Sequence, residues 1–224
     1  MSERSASPVF ELLIIFIIVF LSQWVAEAVD LMTTLFVLSP PIADHPWTVV
    51  TSVYAHGNVG HLLSNSIALV IFGWPVARAT TRVRFHVFFL VMGALAGISE
   101  IVLSALLAVV SSAMAAILPF FTIPTFPPTG GVLGASGAVF ALMGYLLAGN
   151  RFSSGIASVI QIPQWLAWVV FLGFATAITL ATAAPGVALI AHFTGFLLGL
   201  LAGRARVLNV GPQAASGQPQ REQF

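Results

Sequence analysis

The run FHVFFLVMGALAGISEIVLSALLAVV, Phe85–Val110, decides the fold. It carries one acid, Glu100, and no Arg or Lys. It is longer than the roughly 20 apolar residues a helix needs to cross a bilayer, so it reads as a transmembrane helix. The rest of the chain is of the same kind. Eight basic and seven acidic residues make up only 7% of the 224, against roughly 25% in a soluble domain. Apolar residues account for 58%, and the mean hydropathy is +1.02. So few charges cannot clothe a soluble globule. A net charge of +1 without a basic patch excludes a nucleic-acid binder. There is no cysteine, which excludes disulfides, thiolate metal sites and a cysteine nucleophile. Every basic side chain is Arg, so lysine-based mechanisms are excluded too.

Five more spans flank this one. The first covers Leu12 to about Ala28; it is too long for a signal-peptide core and is followed by no convincing cleavage site. Leu31–Leu38 is apolar but too short to cross and reads as interfacial. Pro40, Pro41 and Pro46 mark a loop. The second span covers about Leu62–Val76, the third is Phe85–Val110, and the fourth is about Ser136–Ala148. The fifth covers about Ile160–Ala181 and the sixth about Val187–Ala202. Between the third and fourth, Ser111–Leu133 is rich in Pro and Gly and reads as a long loop. The sequence therefore divides into an N-terminal segment (1–8), a six-span membrane domain (9–204) and a polar tail (205–224) expected to be disordered.

The arginines orient this all-α bundle. Arg4, Arg78, Arg82, Arg84, Arg151, Arg204, Arg206 and Arg221 all fall on one side of a six-span chain. By the positive-inside rule both termini are cytoplasmic. Trp24, Trp47, Tyr54, Trp74 and Trp165 fall near the two interfaces as an ordinary aromatic belt.

Polar residues inside spans are costly and mark function by default. Span two opens with His61 and carries Asn65 four residues on, on the same helix face. Span four opens Gly134-Ala135-Ser136-Gly137. Span six carries His192 about five residues in, roughly 8 Å down at 1.5 Å per residue. All four side chains fall in the outer third of the bilayer, from three separate helices. A serine and a histidine at one depth suggest nucleophile and general base. The two further donors suggest an oxyanion hole. Gly195, Gly199 and Gly203 form a small-residue stripe on span six, and Gly137, Ala141, Gly144 and Ala148 form one on span four. Each feature alone has a plainer reading as packing, capping or a satisfied core histidine; their coincidence at one depth points to a site. Glu100 reads as a hydrogen-bonded structural carboxyl, with a cavity wall or proton relay as the other reading. His45 reads as a solvated loop residue and His86 as a surface residue at the inner interface.

These residues resemble a known family. The stretch His56-Gly-Asn-Val-Gly-His61-Leu-Leu-Ser-Asn65 resembles the histidine–asparagine motif of the rhomboid intramembrane proteases. Gly134-Ala-Ser136-Gly137, continued by Ala-Val-Phe140-Ala-Leu-Met-Gly144, resembles their nucleophile motif. Ala191-His192-Phe-Thr-Gly195-Phe-Leu-Leu-Gly199 resembles their sixth span. The resemblance covers about Thr48–Arg204. Gly134 and Gly137 flank the serine without side chains, which lets a substrate backbone approach closely. The resemblance implies Ser136 as nucleophile and His192 as base, with Asn65, His61 and the Ser136 N–H as oxyanion donors. It implies supporting roles for His56, Phe140, Gly195 and Gly199. It also implies single-span membrane proteins as substrates, cut near the outer end of their helix, and no cofactor or metal. The expected location is the plasma membrane of a prokaryote, with the site opening to the extracytoplasmic side. Four features depart from the family pattern, one of them the long, proline-rich loop before Ser136. Trp47 is followed by Thr48 rather than Arg, Ala77-Arg78 stands where an acid often ends the second span, and Phe140 stands where Tyr also occurs.

Between Glu100 and Glu222 the chain has no Asp or Glu, so a Ser–His dyad is expected rather than a triad. A zinc protease would want H-E-x-x-H, which is absent. An aspartyl type would want two membrane Asp residues, but Asp30 and Asp44 both fall in the outer loop. The standing alternative is a non-proteolytic rhomboid-like protein that binds transmembrane helices.

Overall fold

The computed structural model describes residues 7–124, 127–149, 164–182 and 186–209. Arg4, Arg151, Arg221, the start of the expected fifth span and the expected tail beyond Asn209 lie outside the described residues. Within them the regular elements are all helices, apart from an isolated two-residue bridge, Leu38 to Val132.

Helix α1, Pro8–Ala28, starts with proline in its first turn, where the missing N–H costs nothing. The chain turns off two residues beyond its end, at Asp30, which takes a left-handed φ of 57°. One face buries Val9, Leu12, Phe16 and Phe20, while Ile14, Ile17, Ile18 and Leu21 point outward. A helix apolar on both faces suits a lipid boundary. The connection to the next span holds two short helices, α2 (Met32–Phe36) and α3 (Thr48–Tyr54). Helix α3 falls where the prolines predict only loop. Seven residues cannot sustain a helix alone, so side chains tie it down. Trp47 Nε1 donates to the Thr34 carbonyl (2.8 Å), and Thr48 Oγ1 to that of His45 (2.6 Å).

Helix α4, Val59–Ala77, is capped by Asn58, whose Oδ1 accepts the His61 N–H at 2.8 Å. It widens into one π-type turn at Leu69–Gly73. Pro75 accounts for the widening, because its ring would clash with the carbonyl of Ile71, four residues back.

Helix α5, Arg82–Ile117, is longer than the sequence predicts. Its 36 residues extend about 54 Å, and it runs through Ser111 and Ser112. Ser111 Oγ turns back to the Ala108 carbonyl, so these serines do not break the helix. Pro119 stops it instead, by disfavouring helical geometry at Leu118. The loop that follows is therefore shorter than Ser111–Leu133. Its return is tied to α5 by the Thr129 N–H on Ser104 Oγ (3.1 Å).

Helices α6 (Ser136–Gly149), α7 (Gln164–Ala181) and α8 (Leu189–Arg204) complete the described fold. Helices α1, α4 and α5 are long and apolar enough to cross a membrane, and α6 and α8 are shorter apolar helices. The core gathers Leu12, Phe16, Leu69, Phe85, Phe89 and Leu142, all fully buried. Helices α6 and α8 meet backbone to backbone. A methyl built on Gly195 would strike the Gly137 carbonyl, and one on Gly199 the Ala141 carbonyl. This is what a small-residue stripe is for.

At the far end Glu11 pairs with Arg82 and, at 2.7 Å, with His86 Nε2. His86 is thus a partly buried partner of a carboxylate rather than the surface residue expected beside Arg84. Likewise His45 is only half-exposed: it packs on Trp47, and its Nδ1 is buried without a partner.

Candidate active site

A cavity of about 880 Å³ opens between α4, α5, α6 and the α7–α8 connection. Ser136, His192, His61, Asn65 and Glu100 all line it. Ser136 is the first residue of α6. The first N–H groups of that helix have no carbonyl one turn back and point toward the cavity end of the helix.

Gly134 sets the approach to Ser136. Its φ is 134°, and its N–H is held by the Ser52 carbonyl at 2.8 Å. A Cβ there would lie 2.7 Å from His61 Cε1, 2.9 Å from Nε2 and 3.8 Å from Ser136 Oγ. Only glycine allows the backbone to pass so close to the imidazole.

The His61 ring is oriented from behind. The Gly57 N–H points at its Nδ1 (3.4 Å), which assigns the ring hydrogen to Nε2, on the Gly134 side. Asn65 is buried and spends one amide hydrogen on the His61 carbonyl (3.0 Å), leaving a second donor.

His192, also buried, is held on three sides. Its ring stacks on Phe140 with centroids 4.2 Å apart and planes 17° apart. Its Nδ1 meets Thr182 Oγ1 at 3.3 Å. The N–H of the preceding residue, Ala191, donates to Glu100 Oε2 at 2.8 Å. Glu100 therefore caps the start of α8, as expected of a hydrogen-bonded structural carboxyl, and also forms cavity wall. Among the described residues, no hydrogen bond joins Ser136 Oγ to His192; the two share a cavity. Such bonds commonly tighten only once substrate is bound.

His56 stands behind the cavity. Its ring is buried between Phe16 (4.8 Å) and His61 (5.3 Å), and among the described residues neither ring nitrogen has a hydrogen-bond partner. Burial, reinforced by the neighbouring His61, pushes its pKa down to about 4, so it is neutral at ordinary pH. Gln23 of α1 pins its backbone twice, accepting from the His56 N–H (2.9 Å) and donating to its carbonyl (3.2 Å). The sequence reading passes over Gln23; a buried amide in an otherwise apolar span was the available signal. Thr182 is also missed, because it belongs to a segment read only as the end of a span. Gly195 and Gly199 serve the site from a distance, by letting α8 lie against α6. Among the described residues no cluster of three or more His, Asp or Glu side chains is placed to hold a metal ion.

The rhomboid domain family model matches residues 43–208, a stretch that contains every one of these cavity residues. No curated protein matches the chain. The match covers well over half the chain, and the protein belongs to the rhomboid family.

Proposed function

We propose that this protein is an intramembrane serine endopeptidase. One observation carries the reading: Ser136, His192, His61 and Asn65, from three separate helices, line one cavity. In the proposed reaction Ser136 Oγ attacks the scissile carbonyl carbon as its proton passes to His192 Nε2. The carbonyl oxygen becomes an oxyanion and takes hydrogen bonds from His61 Nε2, the second Asn65 amide hydrogen and the Ser136 N–H. Collapse breaks the C–N bond, and His192 returns the proton to the leaving amine. Water, deprotonated by His192, then hydrolyses the Ser136 ester and regenerates the serine.

The proposed frame is a six-span bundle with both termini cytoplasmic and the cavity opening to the opposite side. The charges at Arg78, Arg82, Arg84, Arg204 and Arg206 support it. The proposed substrates are single-span membrane proteins cut near the outer end of their helix, and the proposed setting is a prokaryotic plasma membrane.

The missing Ser136–His192 bond favours a second reading, a non-proteolytic binder of transmembrane helices. A fluorophosphonate probe separates the two. Wild type should label covalently and cleave a single-span reporter, and Ser136→Ala and His192→Ala should do neither. A wild type that neither labels nor cleaves sinks the protease reading. Capture of a helix partner that survives Ser136→Ala would then support the binder.

A further inference from the structure

We infer that Thr182 is a positioning residue that fixes the tautomer of His192, taking the place a carboxylate holds in a catalytic triad. This inference rests on the protease reading for its kinetic consequences but not for its geometry. Thr182 lies one residue beyond α7. Its Oγ1 donates to the Thr179 carbonyl at 3.0 Å, a local back-bond typical of threonine at a helix end. A hydroxyl has one hydrogen. With that hydrogen directed at Thr179, the oxygen meets His192 Nδ1 at 3.3 Å as an acceptor. The bond then requires the hydrogen on Nδ1. A neutral imidazole carries one N–H, so Nε2 keeps its lone pair.

A general base needs that tautomer, because the wrong one presents an N–H where a lone pair must receive the serine proton. The neighbouring contacts divide the work. Phe140 sets the plane of the ring. Glu100 holds the backbone at Ala191 and does not reach the ring in the described structure. Among the described residues only Thr182 touches a ring nitrogen of His192, and so among them it alone discriminates between the two. The arrangement explains how a dyad can keep an oriented base without a buried carboxylate beside it. His61 is held the opposite way, with its acceptor nitrogen toward Gly57. The cavity would thus hold one histidine presenting N–H and one presenting a lone pair.

The test is a long-range ¹H–¹⁵N spectrum of the full-length protein labelled at histidine, in detergent above the titration range of imidazole. The His192 signals are assigned by their loss in His192→Ala. Wild type and Thr182→Ser should show His192 protonated on Nδ1. Thr182→Val, which keeps the shape but not the hydroxyl, should lose that preference while the His56 and His61 signals stay in place. On a single-span reporter, Thr182→Val should lower kcat about tenfold, the scale of one neutral hydrogen bond. KM should be unchanged, and Thr182→Ser should restore the rate. Wild-type His192 protonated on Nε2, or a Thr182→Val spectrum unchanged from wild type, would overturn the inference. If the wild type cleaves nothing, the protease reading fails while the spectrum still decides the bond.

Discussion

At Gly134 a single hydrogen atom separates a working approach from a blocked one. Gly134→Ala would force a non-glycine residue to a φ of 134° and drive its methyl into the His61 ring. The expected cost is roughly 1–3 kcal/mol of stability. Thermal unfolding in detergent measures it, and fluorophosphonate labelling of Ser136 should fall with it. His56 makes a second prediction at this scale. Its folded pKa, about 4, lies below its ordinary value of 6.5. The unfolded chain therefore takes up the proton first on acidification. The stability this neutral histidine contributes is complete above pH 6.5 and is lost as the pH falls toward 4. The limiting slope is about 1.4 kcal/mol per pH unit. His56→Phe should flatten the unfolding midpoint against pH in that window, and an unchanged profile would refute the assignment. Single positions were unevenly legible. Ser136, His192, His61 and Asn65 stood out because polar groups are rare in apolar spans. Thr182 and Glu100 act through partners on other helices, and no spacing along the chain encodes that Glu100 caps α8 from α5.

Among the elements, the contact of α6 with α8 is the tightest joint. Gly199→Ala would push a methyl into the Ala141 carbonyl, where backbone cannot yield as a side chain can. The helices must separate, at roughly 1–3 kcal/mol, and Ser136 moves away from His192 with them. Gly173→Ala on α7 is the control, since a methyl there meets nothing within 4 Å. The first variant should lose thermal stability and labelling together; the second should keep both. Equal behaviour of the two would show that the stripe is not the joint. The apolar runs are legible as helices because the membrane demands length and hydrophobicity. Their ends are less legible. The Pro- and Gly-rich loop is expected to begin at Ser111, yet that serine bonds back to its own helix, which continues to Ile117. Helix α3 is invisible in the sequence because bonds from Trp47 and Thr51 to the carbonyls of Thr34 and Leu35 in α2, not local pattern, hold it.

Across the whole molecule the helices are unequal. Helix α5 extends about 54 Å, whereas α6 and α8, with 14 and 16 residues, extend about 21 and 24 Å. A typical hydrocarbon core is about 30 Å thick. The C-terminal half of α6 is tied to the chain just beyond α8, Tyr145 Oη accepting from the Leu208 N–H (3.2 Å) and meeting Asn209 Oδ1 (3.1 Å). In the proposed orientation the whole shortfall of α6 therefore appears at its outer end, above Ser136. The host membrane then acts as a ruler. A substrate helix finds its own level from the lipid surface, while the nucleophile is referenced to the opposite face. Thickening the bilayer by about 1.5 Å should move the cut one residue further into the substrate's span. Reconstitution in short-chain and long-chain lipids, with mass spectrometry of the products, reads that shift directly. A cut that stays at one peptide bond in every lipid would mean that substrate sequence, rather than membrane thickness, chooses it.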